Sequence, residues 1–242
     1  MKTAARTLDL FEAFTAAKGP LSLSELARAM GAPVASCFGI VRTLEQRGYL
    51  YAIRSRRGLY PTRRLLDVAR VIAMHDPVAE RLGPAMTSLR EATGETVILG
   101  KRMGDRVVYL DVLEAPQTVR YTACVGDLKP LHSSAIGKAI LGSLDAAERR
   151  AVLSRLTLAR VTPATITSRR ALAADLDAGR ARGWYATRGE NVADVIAVAV
   201  PVVISQETFA VAVAGPMHRM APRIEQHAAA LLAARRAVDS AA

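Results

Sequence analysis

Residues Leu21–Leu50 read LSLSELARAMGAPVASCFGIVRTLEQRGYL, and their spacing indicates how the amino-terminal third folds. Ser22 and Glu25 have the spacing of a capping box, which satisfies free backbone N–H groups at the start of a helix. Gly31 ends that helix, and a turn at Pro33 precedes another one. The stretch therefore predicts helix, turn, helix.

The helix after Pro33 has an apolar face and a face free for other contacts. Apolar residues recur at i, i+3, i+4 and i+7, as in an amphipathic helix: Cys37, Ile40, Val41 and Leu44. The opposite face carries Ala35, Gly39, Arg42 and Gln46. We expect the first set to pack against the other helices and the second set to remain exposed for contact with a partner.

Elements on either side extend this pattern to helix, helix, turn, helix and basic hairpin. Upstream, helical spacing predicts a first helix, closed at Lys18-Gly19-Pro20, whose apolar residues are Ala4, Leu8, Phe11 and Phe14. Downstream, residues 49–53 and 59–62 predict two β segments. The loop between them holds Arg54, Arg56 and Arg57. A helix fits the DNA major groove and a basic hairpin can neutralise flanking phosphates, so the pattern suits duplex DNA. The alternative is that the arginines lie on a solvent-exposed loop and contact no partner.

The charge distribution favours the same partner. The chain of 242 residues carries a net charge of +11. Residues 1–75 hold 12 of its 33 basic side chains and 5 of its 22 acidic ones. An excess of this kind favours an acidic partner, with nucleic acid first and an anionic membrane second.

The remaining residues predict an α+β domain. Residues 95–102 and 106–114 flank a hairpin turn at Met103-Gly104-Asp105, and residues 194–202 and 209–216 form two further β-branched runs. Four helices are expected among them, at 134–141, 145–153, 168–182 and 222–238. Antiparallel strands with interspersed helices define the α+β class.

The stretch PLHSSAIGKAIL, Pro130–Leu141, offers catalytic interpretations that its spacing does not support. A phosphate-binding loop needs a glycine where His132 stands and a hydroxyl where Ala139 stands. A serine hydrolase needs a strained elbow and a histidine brought in from elsewhere in the fold, whereas His132 adjoins Ser133. We therefore expect no catalytic residue, a structural His132, and a helix start of small residues that forms a pocket wall.

Other features of the sequence give no indication of a disulfide, a metal site, a membrane span or an export signal. Cys37 and Cys124 lie far apart with no partner motif, which suggests neither a disulfide framework nor a metal site. No apolar run approaches the roughly 18 residues of a membrane span, and Met1 begins no export signal. We expect a cytoplasmic protein without metal or cofactor.

Three stretches together resemble the IclR family of bacterial transcriptional regulators: Leu21–Leu50 with the Arg-rich hairpin, Gly126–Leu141 and Arg180–Val202. The resemblance covers nearly the whole chain. It implies a winged helix-turn-helix domain over 1–62, a linker helix over 63–76, and an effector-binding domain over 77–242 with a GAF-like antiparallel sheet. It also implies a homodimer or a dimer of dimers, joined through the linker helix and the first helix, on operator DNA with inverted half-sites.

The recognition helix departs from the family pattern. Where relatives commonly carry a Lys and an Arg, this chain has Val34 and Gly39. Gly39 is either tolerated drift or a point of close backbone approach, and Arg42 becomes the expected base contact. The full expected DNA-contacting set is Ser22, Val34, Ala35, Ser36, Phe38, Gly39, Arg42, Arg54, Arg56 and Arg57.

The resemblance places a small organic acid between the start of the 134–141 helix and the sheet. The implied residues are Ser134, Ala135 and Ile136 on one side and Thr187, Val195, Ala197, Ala212 and Ala214 on the other. Relatives often have acidic, Cys or Ser residues where Thr187, Ala197, Ala212 and Ala214 stand. Because these polar anchors are replaced, we expect a roomier apolar cavity suited to an aromatic or medium-chain acid. The alternative is an ordinary core that binds nothing.

The function that follows is a DNA-binding transcriptional regulator, interpreted as a repressor controlled by that acid. Two alternatives stay open at this point. One is a small-molecule enzyme with an accessory basic domain, and the other is an architectural DNA-binding protein without an effector.

Overall fold

In the computed structural model, which describes residues 2–53 and 58–240, the chain divides into two units, residues 1–76 and 77–242. The first unit contains α1 (Lys2–Ala17), α2 (Leu23–Ala29), α3 (Val34–Gln46), β1 (Leu50–Ile53), β2 (Gly58–Pro61) and α4 (Arg64–Met74). β1 and β2 pair antiparallel, and an isolated bridge joins Leu21 to Leu59. Arg54, Arg56 and Arg57 lie outside the described residues.

The first unit has its own core, which α1, α2, α3 and β1 form together. It contains Leu10, Phe14, Leu26, Ala27, Cys37, Ile40, Val41, Leu44 and Leu50. The capping box at the start of α2 is present, because Ser22 Oγ accepts the Glu25 N–H and the Glu25 carboxylate accepts the Ser22 N–H. These two bonds satisfy backbone donors that the helix leaves free.

The expected apolar face of α1 is partly wrong. Leu10 and Phe14 are buried, whereas Ala4 is exposed and Leu8 is 65% exposed. Leu8 and Leu10 are separated by about 200° of helix rotation, so they cannot share one face. Half of the expected stripe is right, because Phe11 and Phe14 pack against the core, whereas Ala4 and Leu8 are exposed to solvent. The stripe also omitted the buried Leu10.

The second unit contains one six-stranded antiparallel sheet in the order β5-β4-β3-β8-β7-β6. Its strands are β3 (Thr96–Met103), β4 (Arg106–Leu113), β5 (Leu128–Pro130), β6 (Tyr185–Arg188), β7 (Val195–Ile204) and β8 (Glu207–Pro216). Its helices are α5 (Pro77–Thr93), α6 (Ala135–Ser143), α7 (Ala146–Arg155), α8 (Arg169–Arg182), α9 (Met217–Met220) and α10 (Ile224–Ser240). This architecture is α+β, as expected.

Two separate cores cover the two faces of the sheet. One core packs α5 and α10 against one face through residues such as Leu89, Val213 and Leu231. The other packs α6 and α8 against the opposite face through residues such as Ile140 and Leu172. Strand residues alternate between these cores, which is the side-chain period of a β-strand.

The sequence-based element list differs from the structure in several places. β5 and β6 were not expected as strands; both are short and lie at the edges of the sheet. The last helix begins with a 3₁₀ turn over Ala221–Arg223, and α10 starts two residues later than expected, at Ile224. α6 starts at Ala135 because Ser134 is its N-cap.

Candidate DNA-binding face and ligand cavity

The solvent face of α3 carries the residues expected to contact DNA. Val34 and Phe38 are 49% and 53% exposed, and Ala35, Ser36, Gly39 and Arg42 are also exposed. A Cβ added at Gly39 would meet no atom within 4 Å, so nothing in the chain itself requires a glycine there. Ser22 is different, because its hydroxyl is engaged by Glu25 at the start of α2. DNA contact by these residues stays a prediction.

The eight residues expected to hold an effector come together around one cavity of the second unit. Five further residues complete its lining, and the sequence did not point to them: Ile98, Tyr109, Tyr121, Asn191 and Val192. The free volume of this cavity is small, about 30 Å³.

This geometry corrects the expectation of a roomy apolar cavity. Ala197, Ala212 and Ala214 do line it, but Tyr109 and Tyr121 line it as well, and its free volume is small. Their phenols and Asn191 also supply polar groups. The polar groups of the lining therefore come from Tyr109 on β4, from Thr187 on β6 and from the segments that carry Tyr121, Ser134 and Asn191, and not from β7 and β8.

The start of α6 is fixed by its own hydrogen bonds. Ser134 Oγ donates to Pro130 O (2.8 Å) and accepts the Gly137 N–H (3.1 Å). A Cβ at Gly137 would lie 2.2 Å from Leu131 O, so only glycine permits α6 to pack this closely on the preceding loop. The glycine of the Gly-Lys pair thus serves helix packing, and not the binding of phosphate.

His132 and Ser133 also have structural partners. His132 is 1% exposed, and its Nε2 lies 2.9 Å from Ala159 O. Ser133 Oγ accepts a hydrogen bond of 3.0 Å from Asn191 Nδ2. The two side chains are therefore held apart from each other by partners 27 and 58 residues downstream.

A segment that we call the strap, residues 114–127 between β4 and β5, carries Tyr121 to the cavity. Thr96, fully buried at the start of β3, binds the strap at two points. Its Oγ1 accepts the Ala115 N–H (3.2 Å) and donates to Tyr121 O (2.6 Å). Burial raises the pKa of the Tyr109 phenol, and the neighbouring Tyr121 raises it further, so Tyr109 stays protonated at physiological pH.

Lys138, the other member of the Gly-Lys pair, is a buried cation. Its side chain is 0% exposed. Its Nζ lies 2.6 Å from Glu190 Oε1 and 2.8 Å from Asp175 Oδ2. Burial raises the pKa of the Glu190 carboxyl, and the Lys138 ammonium opposes that rise. Sequence reasoning missed this cluster because lysine is rarely buried unless it is paired, and its partners are distant in the chain.

Two further searches cover the described part of the chain. Within residues 2–53 and 58–240, no three His, Cys, Asp or Glu side chains are grouped so that they could hold a metal ion. Over the same ranges, no helix has both the length and the apolar character needed to cross a membrane.

Comparison with known proteins identifies the family. The family description "IclR helix-turn-helix domain" matches residues 3–53, and "Bacterial transcriptional regulator IclR C-terminal" matches residues 71–240. The chain belongs to the IclR family. It is a transcriptional regulator of the IclR type, with a DNA-binding helix-turn-helix domain and a carboxy-terminal effector domain.

Relatives of this IclR-family regulator are named as transcriptional regulators or repressors. It is 33% identical to the probable transcriptional regulator SauR of Cupriavidus necator, over 90% of this chain and 87% of that one. It is 29% identical to the transcriptional repressor AllR of Klebsiella pneumoniae, over 84% of this chain and 76% of that one.

Solved structures share the fold. The IclR of Thermotoga maritima matches with a TM-score of 0.83 at 24% identity, over 98% of this chain and 97% of that one. An IclR homologue of Microbacterium hydrocarbonoxydans, solved in complex with 4-hydroxybenzoate, matches with a TM-score of 0.76 at 22% identity, over 98% and 99%.

Proposed function

We propose that this IclR-family regulator is a repressor that a small organic acid, aromatic in character, controls through the cavity beside α6. The observation that carries the proposal is the composition of the cavity lining. Two aromatic rings, several apolar side chains and a helix start line one cavity. Such a combination of apolar walls with few polar groups is typical of ligand sites.

The helix start offers donors to a carboxylate. Ser134 already satisfies two amides of α6, because its Oγ accepts the Gly137 N–H and its carbonyl accepts the Lys138 N–H. Ala135 and Ile136 line the cavity, and their N–H groups belong to the same first turn. Helix starts favour anions because their backbone donors and the helix dipole act together.

The walls favour a flat ring over a long chain. Tyr109 and Tyr121 supply aromatic surfaces, and Ile98 and Val195 supply apolar contacts. In this conformation the free space admits little more than water, so entry of a ring requires the strap or the tyrosine side chains to move. The Microbacterium homologue with 4-hydroxybenzoate supports the choice of an aromatic acid as the first ligand to test.

We assign DNA binding to residues 1–62, with α3 in the major groove and Arg42 as the base contact. Arg54, Arg56 and Arg57 are the proposed phosphate contacts. Residues 63–76 would link this domain to the effector-binding domain at 77–242. The AllR relative is named a transcriptional repressor, and this name supports repression over activation as the direction of control.

We also propose a homodimer, or a dimer of dimers, joined in part through α4. Within the single chain α4 has no buried residue, and Leu65, Val68 and Ile72 are 38%, 40% and 68% exposed. Apolar side chains in such a row typically pack against another surface. A two-fold dimer would present two copies of α3 to inverted DNA half-sites.

The acid would act by changing the balance between two dimer geometries. A ligand shifts such a balance only if its affinities for the two states differ. Selection of bound sequences from a random duplex pool, followed by anisotropy titration, tests the DNA-binding half of the proposal. We expect an enriched sequence with two inverted half-sites; enrichment of no sequence would contradict it and favour an architectural role.

A reporter gene placed behind the selected sequence tests the sense of regulation. We expect lower expression with the regulator and recovery on addition of an effective acid. Higher expression with the regulator would identify an activator. Turnover of the acid by purified protein would favour the enzyme alternative.

A further inference from the structure

The buried cation Lys138 joins two walls of the cavity. It lies on α6, one turn after the cavity residues Ser134 to Ile136. Its partner Glu190 lies in the turn between β6 and β7, directly before Asn191 and Val192, which also line the cavity. The Nζ to Oε1 distance of 2.6 Å therefore bridges the helix wall and the turn wall.

The same turn is held by several other hydrogen bonds. Thr162 Oγ1 donates to Gly189 O (2.6 Å), and Thr165 Oγ1 donates to Glu190 O (2.7 Å). Gly189 has φ +70°, and a Cβ there would lie 2.6 Å from Ala193 O. These contacts hold the backbone of the turn, whereas Lys138 and the Asn191 to Ser133 bond tie it to the start of α6.

Buried ion pairs are poor sources of net stability, because desolvation of the charges offsets their attraction. One Glu190 oxygen, Oε2, is buried without a hydrogen-bond partner, which adds to this cost. Apolar side chains of similar size could fill the same space at equal or lower free energy. What they could not supply is a directional contact between one atom of α6 and one atom of the turn.

We propose that Lys138 and Glu190 are a positioning pair that sets where Asn191 and Val192 stand against the first turn of α6, and so sets the affinity of the cavity for its ligand. The ligand part of this inference rests on the proposed function. Neither residue lines the cavity, so both act through the residues that do.

Asp175 provides an internal control. It also pairs with Lys138, at 2.8 Å, but it lies on α8, which contributes no residue to the cavity lining. Its side chain is 29% exposed, so it can be solvated when its partner is changed. Asp175→Asn removes one charge from the cluster and leaves the link between α6 and the turn intact.

Hydrogen exchange of the ligand-free protein, read by mass spectrometry, tests the positioning directly. The variants are Lys138→Met/Glu190→Leu, Glu190→Gln and the control Asp175→Asn. In the double variant we expect amides 189–195 to exchange about tenfold faster than in the parent, while the β3 and β8 amides keep their protection. A merely structural pair would leave this local exchange unchanged or would loosen the whole domain.

The outcomes are distinct. Unchanged exchange at 189–195 in the double variant, or equal loosening in Asp175→Asn, would overturn the proposal. If the double variant does not fold, the exchange of amides 189–195 in Glu190→Gln tests the proposal instead. This substitution keeps the shape of the side chain and removes its charge, so faster local exchange supports the proposal and unchanged exchange overturns it.

Binding of 4-hydroxybenzoate, measured by calorimetry, provides the second readout. We expect the double variant to bind at least about tenfold more weakly than the parent and Asp175→Asn to bind within about twofold of it. Equal affinity of parent and double variant would overturn the link to affinity. If the parent itself does not bind this acid, the choice of acid in the proposed function is wrong, and the exchange data still decide the positioning role.

Discussion

Replacing Ala197 by Leu should close the cavity without disturbing DNA binding. In the sheet Ala197 pairs with Thr187 on one side and with Ala214 on the other, and all three border the cavity. A larger side chain at this position must therefore extend into the cavity. The isobutyl group of leucine would take up the little free space that the cavity now has.

The cost to stability should be moderate. Overpacking a well-packed core typically costs about 1–3 kcal/mol. For a domain of this size, 1 kcal/mol corresponds to about 2–4 °C in Tm, so we expect Tm to fall by about 2–12 °C. The lower end applies if Tyr109 or Tyr121 can move aside, and the upper end applies if neither can.

Anisotropy titration on a selected DNA duplex, with and without 4-hydroxybenzoate and related acids, measures the effect. We expect the variant to bind DNA like the parent and to show no response to an acid that shifts the parent. Ala199→Val is the matched control, because Ala199 is buried on the same strand face but does not line the cavity. A normal acid response in Ala197→Leu would refute the assignment of the cavity.

Four further predictions concern other parts of the chain. Replacing the three hairpin arginines with Ala should reduce the slope of log affinity against log salt by about 0.9 per lost phosphate contact, and an unchanged slope would remove them from the interface. Arg42→Ala should relax discrimination at one base position by about 1–3 kcal/mol, whereas uniform weakening across sequences would make Arg42 a backbone contact. Thr96→Val should weaken acid binding because it removes the hydrogen bond from Thr96 Oγ1 to Tyr121 O, whereas Thr96→Ser keeps a hydroxyl there and should bind the acid like the parent. Equal calorimetric affinities of Thr96→Val and the parent would argue against this role of Thr96. Burial lowers the pKa of His227, so its protonation favours the unfolded chain and stability should fall as the pH drops below about 6.5. His227→Gln should flatten that fall in Tm and the exposed His218→Gln should not, and identical pH profiles would contradict the assignment.

The fold was largely readable from local patterns. The capping box at Ser22 and Glu25 and the 3-4 spacing from Cys37 to Leu44 depend on neighbours within a few residues, and the structure contains both. Leu8 shows the limit of such patterns. Several helical stripes can be drawn through a short helix, and only tertiary packing decided that Leu10 would be buried.

The cavity was readable only in part. The family resemblance brought together eight lining residues from α6 and the sheet. Tyr121 could not be found in this way, because the strap has no periodicity and is held at the cavity by Thr96, which lies 25 residues upstream. The aromatic pair Tyr109 and Tyr121 was the available signal, since aromatic residues make up only 5% of the chain.

The Lys138 cluster was beyond sequence reasoning for a physical reason. Its nature depends on Glu190, which lies 52 residues away, and on a burial that no local pattern predicts. Viewed locally, the spacing around Gly137-Lys138 excluded a phosphate-binding loop but did not indicate what the two residues do instead. The fold shows that the glycine permits close packing on Leu131 and that the lysine forms a buried ion pair.

Control of DNA binding by the acid can be measured as the ratio of two dissociation constants: those of the regulator and its selected DNA, with and without saturating acid. Coupling between an effector site and a second site is typically about 1–3 kcal/mol, so we expect a change of about 5- to 150-fold for at least one aromatic acid. By the same linkage, the acid should bind more weakly, by the same factor, when DNA is present. A ratio within about twofold of unity for every acid that binds the cavity would show that the cavity does not control DNA binding.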